Sequence, residues 1–88
     1  MAMKHASHPD IIARLKRAQG HLAGILAMFD AGRPCVELAQ QLHAVESAIS
    51  NAKRELIHDH IENCLEESGD AENSRATLRE LKILAKYL

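Results

Sequence analysis

Hydrophobic residues recur along most of the chain at alternating spacings of three and four, which places them on one face of an α-helix. The first such stretch starts after Pro9 and stops before Gly32. Proline is tolerated in the first turn of a helix, and glycine often follows the last turn. We therefore predict a first helix at about 9–30. Its apolar stripe comprises Ile11, Leu15, Ala18, Leu22, Ile25 and Phe29.

The second stretch has neither glycine nor proline between Pro34 and Gly69, which allows a helix of about 33 residues and about 50 Å. Its apolar seam comprises Leu38, Leu42, Val45, Ile49, Ala52 and Leu56. A seven-residue repeat of this kind predicts packing like that of a coiled coil. A third helix is predicted from about 71 to the end. Its stripe comprises Leu78, Leu81, Leu84 (or Ala85) and Leu88.

Composition agrees with an all-α fold. The chain has 88 residues, of which 47% are hydrophobic, with one Phe, one Tyr and no Trp, and Gly and Pro are scarce. This length fits one domain spanning 1–88, with 1–8 as a flexible N-terminal tail. A core this small often gains stability by oligomerisation.

The composition also excludes several classes of function. No apolar run approaches the ~18 residues of a membrane span, and the first residues lack the apolar core of a signal peptide. We expect a cytoplasmic protein without a membrane partner, in which both cysteines are reduced. No nucleophile–base arrangement is present beyond the metal-ligand candidates described next, so the sequence predicts that the protein is not an enzyme.

The seam of the second helix carries candidate metal ligands at both ends. In the spacing of the seam, Cys35 is the position before Leu38. His60 and then Cys64 are the positions after Leu56. His60 and Cys64 are four residues apart and share one helix face. Cys35 lies 25 residues before His60, which is about 37 Å along a straight helix. The three side chains cannot meet within one chain on that helix.

An antiparallel pair of second helices brings them together. If 47–49 lies at the two-fold axis, Cys35 of one chain falls beside His60 and Cys64 of the other. Such a dimer forms a four-helix bundle with two identical sites between subunits. Two thiolates and one imidazole favour Cu(I) or Zn(II), and a three-coordinate set suits Cu(I) better. The alternative is that both cysteines act only as small hydrophobic residues.

Two short runs and one cysteine carry a family resemblance. They are Arg14-Leu15-Lys16-Arg17-Ala18-Gln19-Gly20-His21-Leu22, then Cys35, then His58-Asp59-His60-Ile61-Glu62-Asn63-Cys64. Together they resemble the CsoR/RcnR family of bacterial metal-responsive repressors. The resemblance implies a three-helix protomer assembled as a dimer of dimers. It also implies that the apo tetramer binds operator DNA and that the inducer weakens this binding.

Within that family, the set Cys35, His60 and Cys64 resembles the copper sensors, and Glu80 stands where they carry a glutamate in the third helix. The resemblance departs at Pro34, where copper sensors have a tyrosine. Nickel or cobalt sensors add an N-terminal histidine. Here their position corresponds to Met3, with His5 two residues away.

Two other inducers therefore stay open. A nickel or cobalt repressor would recruit His5 or His8 as an extra nitrogen ligand. A persulfide or thiol sensor would use Cys35 and Cys64 without needing His60.

DNA binding is implied by the resemblance rather than by a motif, because the sequence has no recognition-helix signature, zinc finger or basic tail. The net charge is −1. Four copies of each cationic side chain in a tetramer would still form a repeated positive surface. The expected DNA contacts are Arg14, Lys16, Arg17 and Arg54.

Overall fold

Three helices make up the described chain. The computed structural model describes residues 8–67 and 71–88, with the backbone alone at 64–67 and 71–74. Helix α1 spans His8–Asp30, α2 spans Cys35–Glu67 and α3 spans Ala71–Ala85. The described residues contain no strand, which confirms the all-α prediction. None of these helices is long and apolar enough to cross a membrane.

The helix bounds differ from the prediction at two ends. Helix α1 begins at His8, which had been assigned to the tail, so the helix starts one residue early. Helix α3 does not continue to the end of the chain. Its last turn closes through bonds of the i to i−3 type, in which the Lys86 N–H donates to the Ile83 carbonyl at 3.2 Å. The residues assigned to the rest of the tail, including His5, lie outside the described residues.

Helix α1 ends in a glycine cap. Gly32 has φ of +67°, in the left-handed region. The Arg33 N–H donates to the Met28 carbonyl and the Gly32 N–H donates to the Phe29 carbonyl, each at 3.1 Å. This is a Schellman motif, which satisfies carbonyls that the helix end would leave unpaired. The predicted end of the first helix is confirmed, and Pro34 then precedes α2.

Helices α1 and α2 form an antiparallel hairpin. His21 Nε2 lies 2.6 Å from Gln41 Oε1, and Arg14 Nη1 lies 3.2 Å from Glu55 Oε2. A residue nearer the beginning of α1 therefore pairs with a residue nearer the end of α2. The start of α1 therefore lies beside the last turns of α2.

The apolar seams of α1 and α2 divide into two rows of seven-residue spacing. One row of each helix is buried between them. The buried residues are Ile11, Ala18 and Ile25 of α1 and Leu38, Val45 and Ala52 of α2. Because a single heptad position of each helix packs against the other helix, the hydrophobic core within the protomer is thin.

The second row of each seam lies exposed. Its members are Leu15, Leu22 and Phe29 of α1 and Leu42, Ile49 and Leu56 of α2, with exposures between 42% and 53%. Since the helices are antiparallel, these two rows run side by side as one apolar face. We call these six residues the apolar face. Helix α1 therefore covers half of the α2 seam, and the other half is left exposed in the protomer.

Helix α3 packs only lightly on α2. Thr77, Leu81 and Leu84 are partly buried. Two members of the predicted stripe, Leu78 and Leu88, are instead more than half exposed. The buried face is thus shifted by about one residue, because α3 contacts α2 alone and has no second helix against its other side in the protomer.

Candidate metal centre and cationic groove

His60 lies in the later half of α2 and is held by a carboxylate from α3. Its Nε2 lies 2.8 Å from Glu80 Oε1, and its side chain is 21% exposed. A neutral imidazole that donates from Nε2 carries its lone pair on Nδ1, the atom that would bind a metal. The packing of α3 against α2 therefore fixes the orientation of the ring. The role of this contact toward a metal stays a prediction.

Cys35 lies at the opposite end of the same helix. It is the first residue of α2, and its thiol is reduced and exposed. Cys64 lies four residues after His60, and its side chain is outside the described part of the structure. Among side chains that are described, no three metal-ligating residues of one protomer come together. A continuous helix keeps Cys35 about 37 Å from His60, so these two cannot share a metal within one protomer.

The donor set fits a soft metal ion. Thiolate and imidazole ligands suit Cu(I) and Zn(II) and are poor ligands for hard cations. A histidine that binds a metal through one nitrogen commonly donates its other N–H to a carboxylate. The His60–Glu80 pair has this form, while the exposed Cys35 thiol is accessible to a second protomer. The residues present therefore fit the metal that the sequence predicts.

His8 is the expected extra ligand that falls within the described residues. It is partly buried in the first turn of α1, and the antiparallel arrangement places that turn beside the last turns of α2. Asn63, on the same end of α2, donates from Nδ2 to the Asp59 carbonyl at 2.8 Å. This end of the hairpin therefore concentrates polar and ligating side chains.

A second polar feature lies between α1 and α2, nearer the middle of the hairpin. It is an open groove of about 410 Å³. Its lining comprises Arg14, Arg17, Ala18, His21, Ala48 and Asn51. Arg14, Arg17 and His21 share this side of α1 because they are three and four residues apart. We call it the cationic groove.

The expected DNA contacts separate into two groups. Arg14 and Arg17 line the cationic groove. Arg54 lies close to it, since its Nη1 donates to Asn51 Oδ1 at 3.1 Å. Lys16 is exposed, but a position two residues from Arg14 lies on a different face of α1. The structure thus brings three of the four cations toward one region.

Sequence reasoning missed the polar partners in this region. It did not identify His21, Asn51 or Glu55 as neighbours of the cationic side chains. The positions Arg14, Ala18 and His21 share one face of α1, and Asn51 and Glu55 share one face of α2. That spacing was the available signal, although it could not show that the two faces meet.

The comparisons with known proteins identify the family of this chain. Residues 7–86 match the family model described as metal-sensitive transcriptional repressor. The chain belongs to this family. Its members are transcriptional repressors rather than enzymes, which confirms both the resemblance and the predicted class of function.

Individual relatives refine the picture. The copper-sensing transcriptional repressor CsoR of Mycobacterium ulcerans (strain Agy99) is 36% identical over 74 residues, which cover 84% of this chain and 63% of the relative. CsoR of Bacillus subtilis (strain 168) is 35% identical over 80 residues, covering 88% and 77%. The chain thus spans just under two thirds of the length of the mycobacterial relative. The solved structure of the nickel-responsive transcriptional regulator InrS matches with a TM-score of 0.83 and 29% identity, over the full length of both chains.

Proposed function

We propose that this repressor binds operator DNA in its apo state and releases it when Cu(I) binds between two subunits. The ligands are Cys35 of one protomer and His60 and Cys64 of its partner. The bound ion joins the start of one α2 to the later half of the other. A ligand changes DNA affinity only if it binds one conformational state better than another, and this connection provides such a difference.

The observation that carries the proposal is the hydrogen bond between His60 and Glu80. The ring is oriented before any metal arrives, because Glu80 belongs to a different helix and receives the Nε2 proton at 2.8 Å. Preorganisation of this kind lowers the cost of binding. It also connects the ligand to α3, so that a shift of the ring is transmitted to a second helix.

The apolar face supports the assembly that the site requires. Six large side chains in two parallel rows are exposed in the protomer, and Ile49 lies at the middle of the α2 row. A second hairpin packed antiparallel on this face would bury both rows in a four-helix bundle. The same arrangement places Cys35 of each chain beside His60 of the other. Two such dimers form the tetramer that we propose as the DNA-binding species.

The cationic groove supplies the proposed DNA contacts. Arg14 and Arg17 bind phosphates directly, and Arg54 contributes from the next turn of α2. Lys16 adds charge on a separate face. Contacts of this kind give affinity and a strong dependence on salt rather than base recognition.

A parallel titration tests the inducer. Reduced apo protein is bound to a fluorescent DNA duplex selected in vitro for binding, and Cu(I), Ni(II) and an inorganic persulfide donor are added in separate series. We expect Cu(I) to lower the anisotropy to that of free DNA at about one equivalent per protomer. Release by persulfide alone would contradict the metal proposal and favour the dithiol sensor.

A nickel-responsive repressor is the second candidate, and two observations favour it. The structure of InrS, a nickel-responsive regulator, matches the whole chain. His8 lies in the first turn of α1, beside the later part of α2. Under this proposal His8, or His5 before it, adds a nitrogen ligand to the same three residues, and Co(II) is the related alternative. Release by Ni(II) that is lost in His8→Ala or His5→Ala, with no release by Cu(I), would establish it instead.

A further inference from the structure

Glu55 is an acidic side chain that pairs with Arg14, one of the two arginines that line the cationic groove. Its Oε2 lies 3.2 Å from Nη1 of Arg14, and the side chains are 41% and 46% exposed. The two residues are on different helices. Among the side chains that the structure describes, Arg17 has no carboxylate within ion-pair distance. The two arginines of the groove therefore differ in their surroundings.

We propose that Glu55 competes with DNA phosphate for Arg14, and so sets the operator affinity of the apo repressor below the maximum that the groove could give. This inference rests on the proposed function, in which Arg14 and Arg17 contact operator DNA. It assigns to Glu55 a regulatory role that acts through Arg14 and needs no contact with the DNA bases.

The chemistry of the guanidinium group explains the competition. Its planar donors bind a carboxylate or a phosphate with the same geometry. When Arg14 turns to a phosphate, its contact with Glu55 is weakened or lost. Breaking this contact offsets part of the free energy gained from the phosphate, so the affinity for DNA is lowered.

Both side chains of the pair are partly exposed, although Oε2 of Glu55 is itself covered, so the competition is a modulation rather than a block. Solvent-exposed ion pairs contribute little to stability and break readily. Arg14 can therefore leave Glu55 when DNA is bound, with a moderate loss of affinity. A buried pair would instead have held Arg14 permanently.

The test uses full-length reduced apo protein and the selected operator duplex, with Glu55→Gln as the first variant. We expect it to bind DNA roughly twofold to fivefold more tightly for each groove in contact, which corresponds to the usual strength of an exposed ion pair. In the wild type, a cation from solution neutralises Glu55 once Arg14 has moved to a phosphate. The variant needs no such cation, so the slope of log K against log salt should become steeper by up to about 0.9 per groove. Circular dichroism and the melting temperature verify that the variant is folded.

Two further variants separate competition from a general effect of charge. Glu46→Gln makes the same charge change at an exposed position nine residues earlier on α2, about half a turn round the helix. We expect it to change affinity much less. In an Arg14→Gln background, the gain from Glu55→Gln should disappear, since the side chain for which Glu55 and phosphate compete is absent.

The outcomes distinguish this inference from the proposed function. Wild-type affinity for Glu55→Gln, or a gain that persists without Arg14, would overturn the role of Glu55 while leaving the groove as a DNA contact. Wild-type affinity for both Arg14→Gln and Arg17→Gln would instead show that the proposed DNA surface is wrong.

Discussion

At the scale of single residues, His60 and Glu80 form the contact on which the proposed response to metal depends. The imidazole donates from Nε2 to a carboxylate of α3, so the ring has one orientation before it binds a ligand. Metal binding and the response of the protein can then be separated by mutation. In the proposed mechanism, the thiolates provide most of the affinity for Cu(I), while His60 and Glu80 transmit the binding event.

Replacing His60 with alanine should weaken Cu(I) binding without abolishing it, because both cysteines remain. DNA release should be lost, since the connection to α3 is broken. Competition with a Cu(I) chelator gives the affinity, and fluorescence anisotropy gives the release. The apo variant should still bind the operator duplex. If copper-loaded His60→Ala left DNA as readily as wild type, His60 would not be the link, and a sensor based on the two cysteines would be favoured.

Replacing Glu80 with alanine should lower Cu(I) affinity by about tenfold or less and reduce the extent of DNA release at saturating Cu(I). Carboxylates that orient a metal-bound histidine have effects of about tenfold to a hundredfold on affinity or activity. The exposed neighbour Arg79 provides the control, because Arg79→Ala changes the same helix without touching His60. Equal release by Glu80→Ala and wild type at saturation would remove Glu80 from the mechanism.

At the scale of helices, the end of α1 sets the geometry of the hairpin. Gly32 adopts a left-handed conformation that places Arg33 and Met28 in the capping hydrogen bond. A Cβ at this position would meet no atom within 4 Å, so a substitution costs backbone strain alone. The loop thus depends on the conformational freedom of one glycine.

Gly32→Ala should lower the free energy of unfolding by about 1–2 kcal/mol, the cost of a left-handed conformation for a residue with a Cβ. Gly20→Ala is the matched control. Gly20 lies inside α1 with open space around its Cβ position, and alanine is favoured there by about 1 kcal/mol. Thermal and urea denaturation of the two variants should therefore shift in opposite directions. A shift in the same direction for both would contradict the role given to the cap.

Most ends of these helices could be predicted because their signals are local, whereas the end of α3 carries no such signal. Pro9, Gly32, Pro34 and Gly69 mark helix ends in the sequence itself. The division of the seams could not be predicted. A heptad pattern gives two adjacent apolar rows and does not show which row packs within the protomer. The pair Arg14–Glu55 was missed for a related reason, since it joins residues 41 positions apart whose faces meet only after the hairpin forms.

At the scale of the whole molecule, the apolar face is the main hydrophobic surface that the protomer leaves exposed to solvent. Rows from α1 and α2 lie side by side and expose six large side chains. Exposed patches of this size mark interaction surfaces in small proteins. The proposed dimer buries them and forms the two ligand sets in the same step. Assembly and metal binding therefore depend on one surface.

A charge at the centre of this face should prevent assembly. Ile49→Asp would place an unpaired carboxylate in the proposed interface, at a cost of about 3–5 kcal/mol. Sedimentation velocity at micromolar concentration should show an oligomer for wild type and a monomer or unfolded chain for the variant. Val36→Asp is the control, because Val36 is exposed on α2 outside the apolar face. Sedimentation of Ile49→Asp as the wild-type oligomer would place the interface elsewhere.

The central claim is that each metal site takes Cys35 from one subunit and His60 with Cys64 from the other. A mixed dimer tests it most directly, with Cys35→Ala in one chain and Cys64→Ala in the other, isolated through two affinity tags. The account predicts one tightly bound Cu(I) per mixed dimer, because the chain that keeps Cys35 faces the chain that keeps Cys64. The homodimer of either variant should bind none with comparable affinity. A mixed dimer that bound two Cu(I) would contradict the shared site. So would a mixed dimer that bound none, which is the result expected if each site lay within a single chain.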